Sequence, residues 1–230
     1  MALMVCVGGC GGPDRLGTAG AEPWLSPLNK GLMSAGFDPL PASSLDIISI
    51  GELFGHGSRP GPYAWVRQIH QYLSDPVARH AARDEVARLV ADDTRIVLGH
   101  SLGSVAAYEA LCRLTDSPVR LFVTLGSPLG IRPHVFDRLG SVLTAGRRSW
   151  PAGLDRWINL FDRRDVVAFR RLTPLFGNGR QIAERAVANG VRPHRASSYL
   201  ADSVLARELG LAARRWAATE AHPLLSRRVR

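Results

Sequence analysis

Short apolar runs alternate along the chain with longer segments of helical hydrophobic spacing. The runs predict strands at 3–7, 45–50, 96–98, 119–125, 157–161 and 182–187. Helical spacing predicts helices between them, over 24–35, over 63–90 with a break at Pro76, over 102–114 and over 196–219. Nearly all strand positions are apolar, as expected when helices cover both faces of a parallel sheet. The pattern predicts a doubly wound, mostly parallel α/β sheet of about six strands.

The length of 230 residues fits one α/β domain, and no linker-like stretch divides the chain. Folding at this length buries roughly 70% of the surface of the unfolded chain, so neither a disulfide nor a metal is needed for stability. We predict a single domain over 1–220 and a basic C-terminal tail over 221–230. The segment 131–153 carries several large apolar side chains, and we interpret it either as a small cap or as a surface helix.

Cysteine usage bears on the cellular compartment. Cys6, Cys10 and Cys112 form no C-x-x-C pair and have no metal-ligand spacing, which disfavours a disulfide framework and a zinc site. We therefore predict a cytoplasmic protein. Residues 7–10 resemble a lipoprotein cleavage box, but no Lys or Arg precedes the apolar run 2–7, and that run is too short for a signal peptide. No stretch approaches the roughly 20 apolar residues of a membrane span.

The formal net charge is +9, and Lys30 is the only lysine among the 29 basic residues. The arginines are scattered from Arg15 to Arg230, and aromatic residues do not interleave with them. This distribution argues against nucleic-acid binding and favours a solvated basic surface. Peripheral contact with an anionic membrane stays as a less favoured alternative, with 227–230 as the most basic segment.

The strand at 96–98 leads directly into Gly99-His100-Ser101-Leu102-Gly103, and a helical stretch follows. A G-x-S-x-G sequence between a strand and a helix is typical of a nucleophile elbow, where the serine occupies a strained turn and its hydroxyl projects above the sheet. Gly99 and Gly103 provide the clearance that lets strand and helix approach. The context predicts Ser101 as a nucleophile.

A serine nucleophile needs a base, and the base needs an acid to orient it. Asp162 and Asp165 both follow the strand 157–161, at the carboxyl edge where reactive groups of such sheets gather. We favour Asp165, because Val166 and Val167 can bury its backbone, whereas Asp162 can pair with Arg163 or cap the turn. Asp162 stays open as the alternative.

His194 is the predicted base. It lies after both aspartates, in a Gly/Pro-punctuated loop directly before the last helix, and so gives the chain order Ser, Asp, His. His222 also follows the aspartates but lies in the C-terminal tail. His100 lies inside the elbow, where we expect it to pack beside the serine. The remaining histidines, His56, His70, His80 and His134, have no partner pattern.

Negative charge on a reacting carbonyl oxygen requires fixed hydrogen-bond donors. We predict one donor at the backbone N–H of Leu102 and a second in the glycine-rich loop after the first strand, with Cys10 favoured and Gly9 next. Gly126-Ser127-Pro128 looks like a second elbow, but Pro128 lacks the N–H that such a site needs.

With these features the chain resembles serine hydrolases of the α/β-hydrolase superfamily, in particular small bacterial lipase- or esterase-like members. The resemblance covers most of residues 3–210 and rests on these further segments: Gly51-Glu52-Leu53-Phe54, 124–130, the Asp165 loop, and His194 with Tyr199-Leu200. It implies the minimal α/β-hydrolase fold, with Ser101 as nucleophile, Asp165 as acid and His194 as base. The chain departs from the pattern at Gly8-Gly9, where such proteins usually have His-Gly.

The leading hypothesis is hydrolysis of a small-molecule carboxylic ester or thioester through a Ser101 acyl-enzyme, with no cofactor and no metal. A cap at 131–153 would then supply an apolar acyl pocket. The alternatives are an acyltransferase or cyclising thioesterase with the same triad, a lipase or phospholipase at an anionic membrane, and a binding protein or non-acyl catalyst on the same fold. Oligomeric state does not follow from the sequence.

Overall fold

A computed structural model describes residues 3–9, 22–51, 64–177, 180 and 182–217. The strands are β1 (Met4–Gly8), β2 (Leu45–Ser49), β3 (Ile96–His100), β4 (Leu121–Leu125), β5 (Leu143–Thr144), β6 (Arg147–Arg148), β7 (Arg156–Asp162) and β8 (Ala183–Val187). The helices are α1 (Glu22–Ser34), α2 (Ala64–Ser74), α3 (Pro76–Leu89), α4 (Leu102–Leu111), α5 (Ala196–Leu200) and α6 (Ser203–Ala217). The six predicted long strands are all present, each within a few residues of its expected bounds.

Six strands form one sheet in the order β2-β1-β3-β4-β7-β8, and all five pairings are parallel. The strand order reverses direction between β1 and β3, so the chain builds one half of the sheet outward and then returns to build the other. Parallel strands place all their carboxyl ends at one edge. Residues that follow β1, β3, β4, β7 and β8 therefore meet there, which is the edge where ligands bind in such sheets.

Two hydrophobic layers cover the sheet, one on each face. On one face Val5, Val97 and Phe122 pack with side chains of α2, α3 and α4. On the other face Cys6 and Leu98 alternate with them and pack with α1, α5 and α6. The prediction of a doubly wound parallel sheet with helices on both faces is confirmed, and the central strands β1, β3 and β4 are buried on both sides.

The last predicted helix is two helices. α5 ends at Leu200, and α6 begins at Ser203 after Asp202, whose carboxylate accepts a hydrogen bond from the backbone N–H of Val204 at 2.7 Å. An aspartate in this position satisfies an otherwise free N–H group and favours a new helix start. Hydrophobic spacing continues across the break, which is why the pattern alone predicts one helix.

The segment 131–153 contains no α-helix, so the surface-helix interpretation is wrong. It folds into a 3-10 turn at Phe136–Arg138 and a hairpin of β5 and β6. Phe136 is fully buried in the core, whereas Val142 is 69% exposed. Buried and exposed apolar residues do not alternate with a helical period in this segment, because its first half packs in the core and its second half is exposed.

Two cysteines in the described part of the chain are free thiols: Cys6 is buried and Cys112 half-buried. Burial raises the pKa of both thiols. Cys10 lies outside the described residues, as do His56, His222 and the predicted tail over 221–230. Within the ranges given above, no helix is long and apolar enough to cross a membrane.

The start of α4 packs closely against the backbone of β1 at Gly103. A Cβ atom on Gly103 would lie 2.2 Å from the Val7 carbonyl oxygen, whereas a Cβ on Gly8 would meet nothing nearer than 3.6 Å. We predict that Gly103→Ala destabilises the protein by about 1–3 kcal/mol or more because α4 must shift away from β1. Gly8→Ala is the matched control and should cost less than about 1 kcal/mol. Urea denaturation of both variants tests this, and equal losses of unfolding free energy would contradict it.

Candidate active site

Ser101 lies between the end of β3 and the start of α4, in a backbone conformation that L-residues rarely adopt. Its φ is 53° and its ψ is −131°. Such a conformation costs of the order of 1–3 kcal/mol and persists only where packing enforces it. Here the enforcement is steric: a Cβ on Gly99 would lie 2.6 Å from the Cα of Ser104, so strand and helix pack directly across the turn. The predicted strand–turn–helix context of Ser101 is present.

The structure brings Ser101, His194 and Asp165 into one chain of hydrogen bonds. His194 Nε2 lies 2.9 Å from Ser101 Oγ, and His194 Nδ1 lies 2.8 Å from Asp165 Oδ2. The three residues follow three different strands, namely β3, β7 and β8, and meet at the carboxyl edge. The Asp165 side chain is fully buried, while that of His194 is 32% exposed. The arrangement can therefore move a proton from a solvent-accessible serine hydroxyl to an imidazole held by a buried carboxylate.

The environment of Asp165 favours its ionised form. Burial by itself raises the pKa of this carboxyl. The hydrogen bond and positive charge of His194, the backbone N–H of Val167 at 2.9 Å and the Tyr199 hydroxyl at 2.8 Å outweigh burial, so the pKa of Asp165 lies below its ordinary value. A carboxylate that stays ionised keeps the proton of His194 on Nδ1 and leaves Nε2 free to accept.

Asp162, the alternative acid, binds backbone N–H groups of the neighbouring loops. Its carboxylate accepts hydrogen bonds from the backbone N–H groups of Arg164 at 2.8 Å and Asn189 at 2.6 Å. It therefore ties the loop after β7 to the loop that carries His194. Burial raises the pKa of Asp162, but these backbone donors and Arg164 lower it below its usual range. Asp162 positions the loop, and Asp165 is the aspartate in contact with His194.

Tyr199 links the two aspartates, a contact that the sequence analysis did not predict. Its hydroxyl donates to Asp165 Oδ2 at 2.8 Å and accepts from the Asp162 backbone N–H at 3.0 Å. The ring is fully buried. A tyrosine five residues after the predicted base, on the first turn of a helix, is the only sequence signal for this role.

Gly126, directly after β4, allows these groups to converge. Its φ is +57°, and a Cβ there would lie 2.9 Å from Asp165 Oδ2 and 3.2 Å from His194 Nδ1. Only glycine meets both demands. The neighbouring Ser127, part of the apparent second elbow, is buried, and its hydroxyl accepts a hydrogen bond from that of Ser104 at 2.7 Å.

The loop after β1 approaches the serine through Gly9. A Cβ on Gly9 would lie 3.1 Å from the backbone nitrogen of Leu102 and 3.1 Å from the Cβ of Ser101. The predicted donors Gly9 and Leu102 are therefore neighbours beside Ser101. Cys10, the favoured donor in the sequence analysis, lies outside the described residues. No group of three or more His, Cys, Asp or Glu side chains in the described part of the chain could hold a metal ion.

Comparison with protein families gives one match. The model of the alpha/beta hydrolase family matches residues 9–228, which is most of the chain. The chain belongs to the alpha/beta hydrolase family. The expected fold is confirmed by the match together with the sheet order. No curated protein matches this hydrolase-family chain.

Solved structures similar to this hydrolase-family chain include an esterase domain of a Rhodothermus marinus protein, with 13% identity, 93% of this chain and 86% of that chain covered, and a TM-score of 0.41. Another is RedJ, a thioesterase from the prodiginine biosynthetic pathway of Streptomyces coelicolor, with 16% identity, coverage of 90% and 88%, and a TM-score of 0.43. The assignment to the alpha/beta hydrolase family rests on the family match.

His100 holds the backbone of the loop that carries His194. Its Nε2 lies 2.9 Å from the His194 carbonyl oxygen, and the two rings are 5.0 Å apart between centroids. Burial, reinforced by the charge of His194, lowers the pKa of His100 to about 3. The ring is therefore neutral and donates its Nε2 proton to the carbonyl. The expected packing role of His100 includes this hydrogen bond.

The depressed pKa of His100 predicts a pH-dependent stability. Between about pH 3 and 6.5 the unfolded chain binds this proton and the folded protein does not, so acidification below pH 6.5 favours unfolding. Wild type should lose about 2 kcal/mol more unfolding free energy between pH 7 and pH 5 than His100→Gln, which keeps an N–H donor. Urea denaturation at both pH values tests this, with His70→Gln, at an exposed helix position, as the control. Equal losses in wild type and His100→Gln would contradict the neutral, buried state.

Proposed function

We propose that the protein is a serine hydrolase that cleaves a carboxylic ester or thioester through a Ser101 acyl-enzyme. The observation that carries the proposal is the continuous path from Ser101 Oγ to His194 Nε2, at 2.9 Å, and from His194 Nδ1 to Asp165 Oδ2, at 2.8 Å. Both distances are those of hydrogen bonds in which proton transfer needs no rearrangement. Membership of the alpha/beta hydrolase family supports the same reaction class.

In the proposed first half-reaction, Ser101 Oγ attacks the carbonyl carbon of the substrate while His194 Nε2 accepts the hydroxyl proton. Asp165 stays ionised and stabilises the imidazolium that forms. Collapse of the tetrahedral intermediate breaks the bond to the alcohol or thiol, and His194 returns its proton to that leaving group. The product of this half is an ester between the acyl group and Ser101.

In the second half-reaction, His194 Nε2 takes a proton from water as the water attacks the acyl carbon. The bond to Ser101 Oγ then breaks, the free acid leaves, and the proton returns to Ser101. Access of water is supported by the 32% exposure of the His194 side chain. In both halves, backbone N–H groups of Leu102 and the Gly9–Cys10 segment are the proposed donors to the oxyanion. These donors belong to the backbone, so the family's usual His-Gly side chain is not required for them.

Exposed apolar side chains on the β7–β8 connection suit an organic substrate. Val166 follows Asp165 directly and Phe169 lies four residues after Asp165, and their side chains are 67% and 52% exposed. Large exposed apolar residues on one loop mark a binding surface better than scattered ones do. Of the proposed cap over 131–153, Val142 lies with Cys112 and Arg113 at the end of α4 that is remote from Ser101, and Phe136 belongs to the core. The single domain over 1–220 and the cytoplasmic location stay predictions.

A fluorophosphonate probe tests the nucleophile. We expect stoichiometric labelling of Ser101 with loss of fluoride, because the same geometry that activates the hydroxyl toward carbonyl carbon activates it toward phosphorus. Ser101→Ala should abolish labelling, and Ser127→Ala should retain it, since Ser127 is buried behind the site. Intact-mass and peptide mass spectrometry give the readout. A folded wild-type protein that resists the probe would refute the proposal.

Substitution of each aspartate in turn by asparagine tests which of the two is the acid. Asp165→Asn should lower kcat on a p-nitrophenyl ester by about 10³- to 10⁴-fold, because the amide favours the wrong imidazole tautomer. Asp162→Asn should retain kcat to within about tenfold, since it only weakens backbone contacts of the loop. Thermal unfolding of both variants separates loss of folding from loss of chemistry. A reversed order of the two kcat values would assign the acid to Asp162.

A further inference from the structure

Two loops leave the carboxyl edge beside the triad: the β4 loop, residues 126–135, and the β7 loop, residues 163–177. Between them lies a cavity of about 540 Å³, which is within the range of small-molecule sites. Arg132, Arg170 and Arg171 line it together with Phe169 and Gly130, and none of its described lining residues is acidic. Three arginines around one opening favour an anionic ligand.

Both loops that line the cavity begin beside the triad. The β4 loop begins at Gly126, where a Cβ would lie 2.9 Å from Asp165 Oδ2 and 3.2 Å from His194 Nδ1, and it reaches the cavity four residues later at Gly130. The β7 loop contains Asp165 and reaches the cavity at Phe169, also four residues later. The cavity therefore lies between two loops that both leave the carboxyl edge of the sheet.

The β7 loop is held rigidly on both sides of the two arginines. On one side the backbone N–H of Ala168 donates to the Asp165 carbonyl at 3.1 Å. On the other side, Glu184 Oε1 accepts hydrogen bonds from the backbone N–H groups of Leu172 at 2.6 Å and Thr173 at 2.9 Å. Preorganised cations bind an anion more tightly, because less conformational entropy is lost on binding.

The β4 loop packs against the base of the arginine segment. A Cβ on Gly130 would lie 2.9 Å from Arg170 Cβ and 3.2 Å from Leu172 Cδ2. The absence of a side chain at this position lets the two loops touch, and Arg170 and Arg171 are both exposed. The Arg170 guanidinium lies 4.9 Å from the centre of the Phe169 ring, so it stacks beside an apolar surface.

Arg170 and Arg171 form no ion pair among the described residues. Arg132 forms an ion pair of 3.5 Å with the half-exposed Asp137, and its guanidinium lies 4.1 Å from the centre of the Phe136 ring. Arginine binds phosphate through two parallel N–H donors, which carboxylate partners would otherwise occupy. Arg170 and Arg171, which have no carboxylate partner among the described residues, and the neighbouring Phe169 suit an organic molecule that carries a phosphate.

We propose that the Arg132, Arg170 and Arg171 cavity binds a phosphate group on the alcohol or thiol half of the substrate. This inference rests on the proposed ester or thioester hydrolysis and names its substrate class. The cavity opens to solvent through exposed arginines, so it suits the end of the substrate that lies away from the reacting carbonyl. A phosphorylated thiol and a phospholipid headgroup share this chemistry, and the experiment separates them.

The test uses octanoyl thioesters of pantetheine and of 4′-phosphopantetheine, which differ only in the phosphate. We expect a KM about tenfold lower for the phosphorylated thioester at an ionic strength of about 0.01 M, and a smaller ratio at 0.15 M because salt screens exposed charges. Arg170→Gln and Arg171→Gln should each reduce the KM ratio about threefold, and the double variant should bring it close to one. Arg207→Gln, at an exposed position of α6, is the matched control and should keep the wild-type ratio.

Binding without turnover separates this inference from the proposed function. In the Ser101→Ala variant, calorimetry should show that 4′-phosphopantetheine binds more tightly than pantetheine, and R170Q/R171Q in the same background should lose that difference. The enzyme could turn over both thioesters equally well, bind the phosphorylated and unphosphorylated compounds equally tightly, and show no vesicle binding that depends on these arginines. That combination would overturn the cavity assignment alone. Binding preference with no turnover and no fluorophosphonate labelling would overturn the proposed hydrolysis alone.

A vesicle arm identifies the source of the phosphate. Sedimentation with phosphatidylglycerol vesicles but not with phosphatidylcholine vesicles, lost in R170Q/R171Q and kept in Arg207→Gln, would assign the cavity to a lipid headgroup. A preference within the thioester pair without vesicle binding would assign it to a soluble phosphorylated thiol. Either result supports the phosphate site, and absence of both overturns it.

Discussion

The tight contact between β1, β3 and α4 is the constraint on which the site depends. Gly103 lies against the backbone of β1, and Gly99 lies against Ser104, so α4 starts directly on the sheet. This packing forces Ser101 into a conformation with φ of 53° and lifts its hydroxyl above the carboxyl edge. The strain at one residue is offset by burial of every residue of α4, most of which are apolar.

A buried polar network fixes the partners of Ser101 in the same way. Tyr199 joins Asp165 to the backbone at Asp162, and Asp162 in turn holds the loop that leads to His194. His100 holds that loop from the other side by its carbonyl oxygen. Every one of these hydrogen bonds joins segments far apart in sequence, so the geometry of the imidazole follows from the docking of β7, β8 and α5. Satisfied buried networks of this kind specify one arrangement because any alternative leaves a polar group unpaired.

The arginines differ in their local surroundings, which the net charge of the protein does not show. Most arginines are engaged structurally, as Arg79 is with Glu109 and as Arg156 and Arg185 are with Glu208. Arg170 and Arg171 differ, since they line the cavity between the β4 and β7 loops without a carboxylate partner among the described residues. Arginines that are scattered along the sequence can thus still produce a positive electrostatic potential at one cavity.

The sequence by itself determined the strands of the sheet, the elbow and most of the helices, because these depend on local hydrophobic period and on glycines next to Ser101. It also ordered Asp165 and His194 along the chain, since parallel strands bring their carboxyl ends together. Only the tertiary structure decided which aspartate meets His194, that Tyr199 and His100 support the pair, and that 131–153 is a turn and a hairpin. These features depend on contacts between segments that are distant in sequence. Such contacts produce no periodic pattern in the sequence and form only when the strands pack side by side.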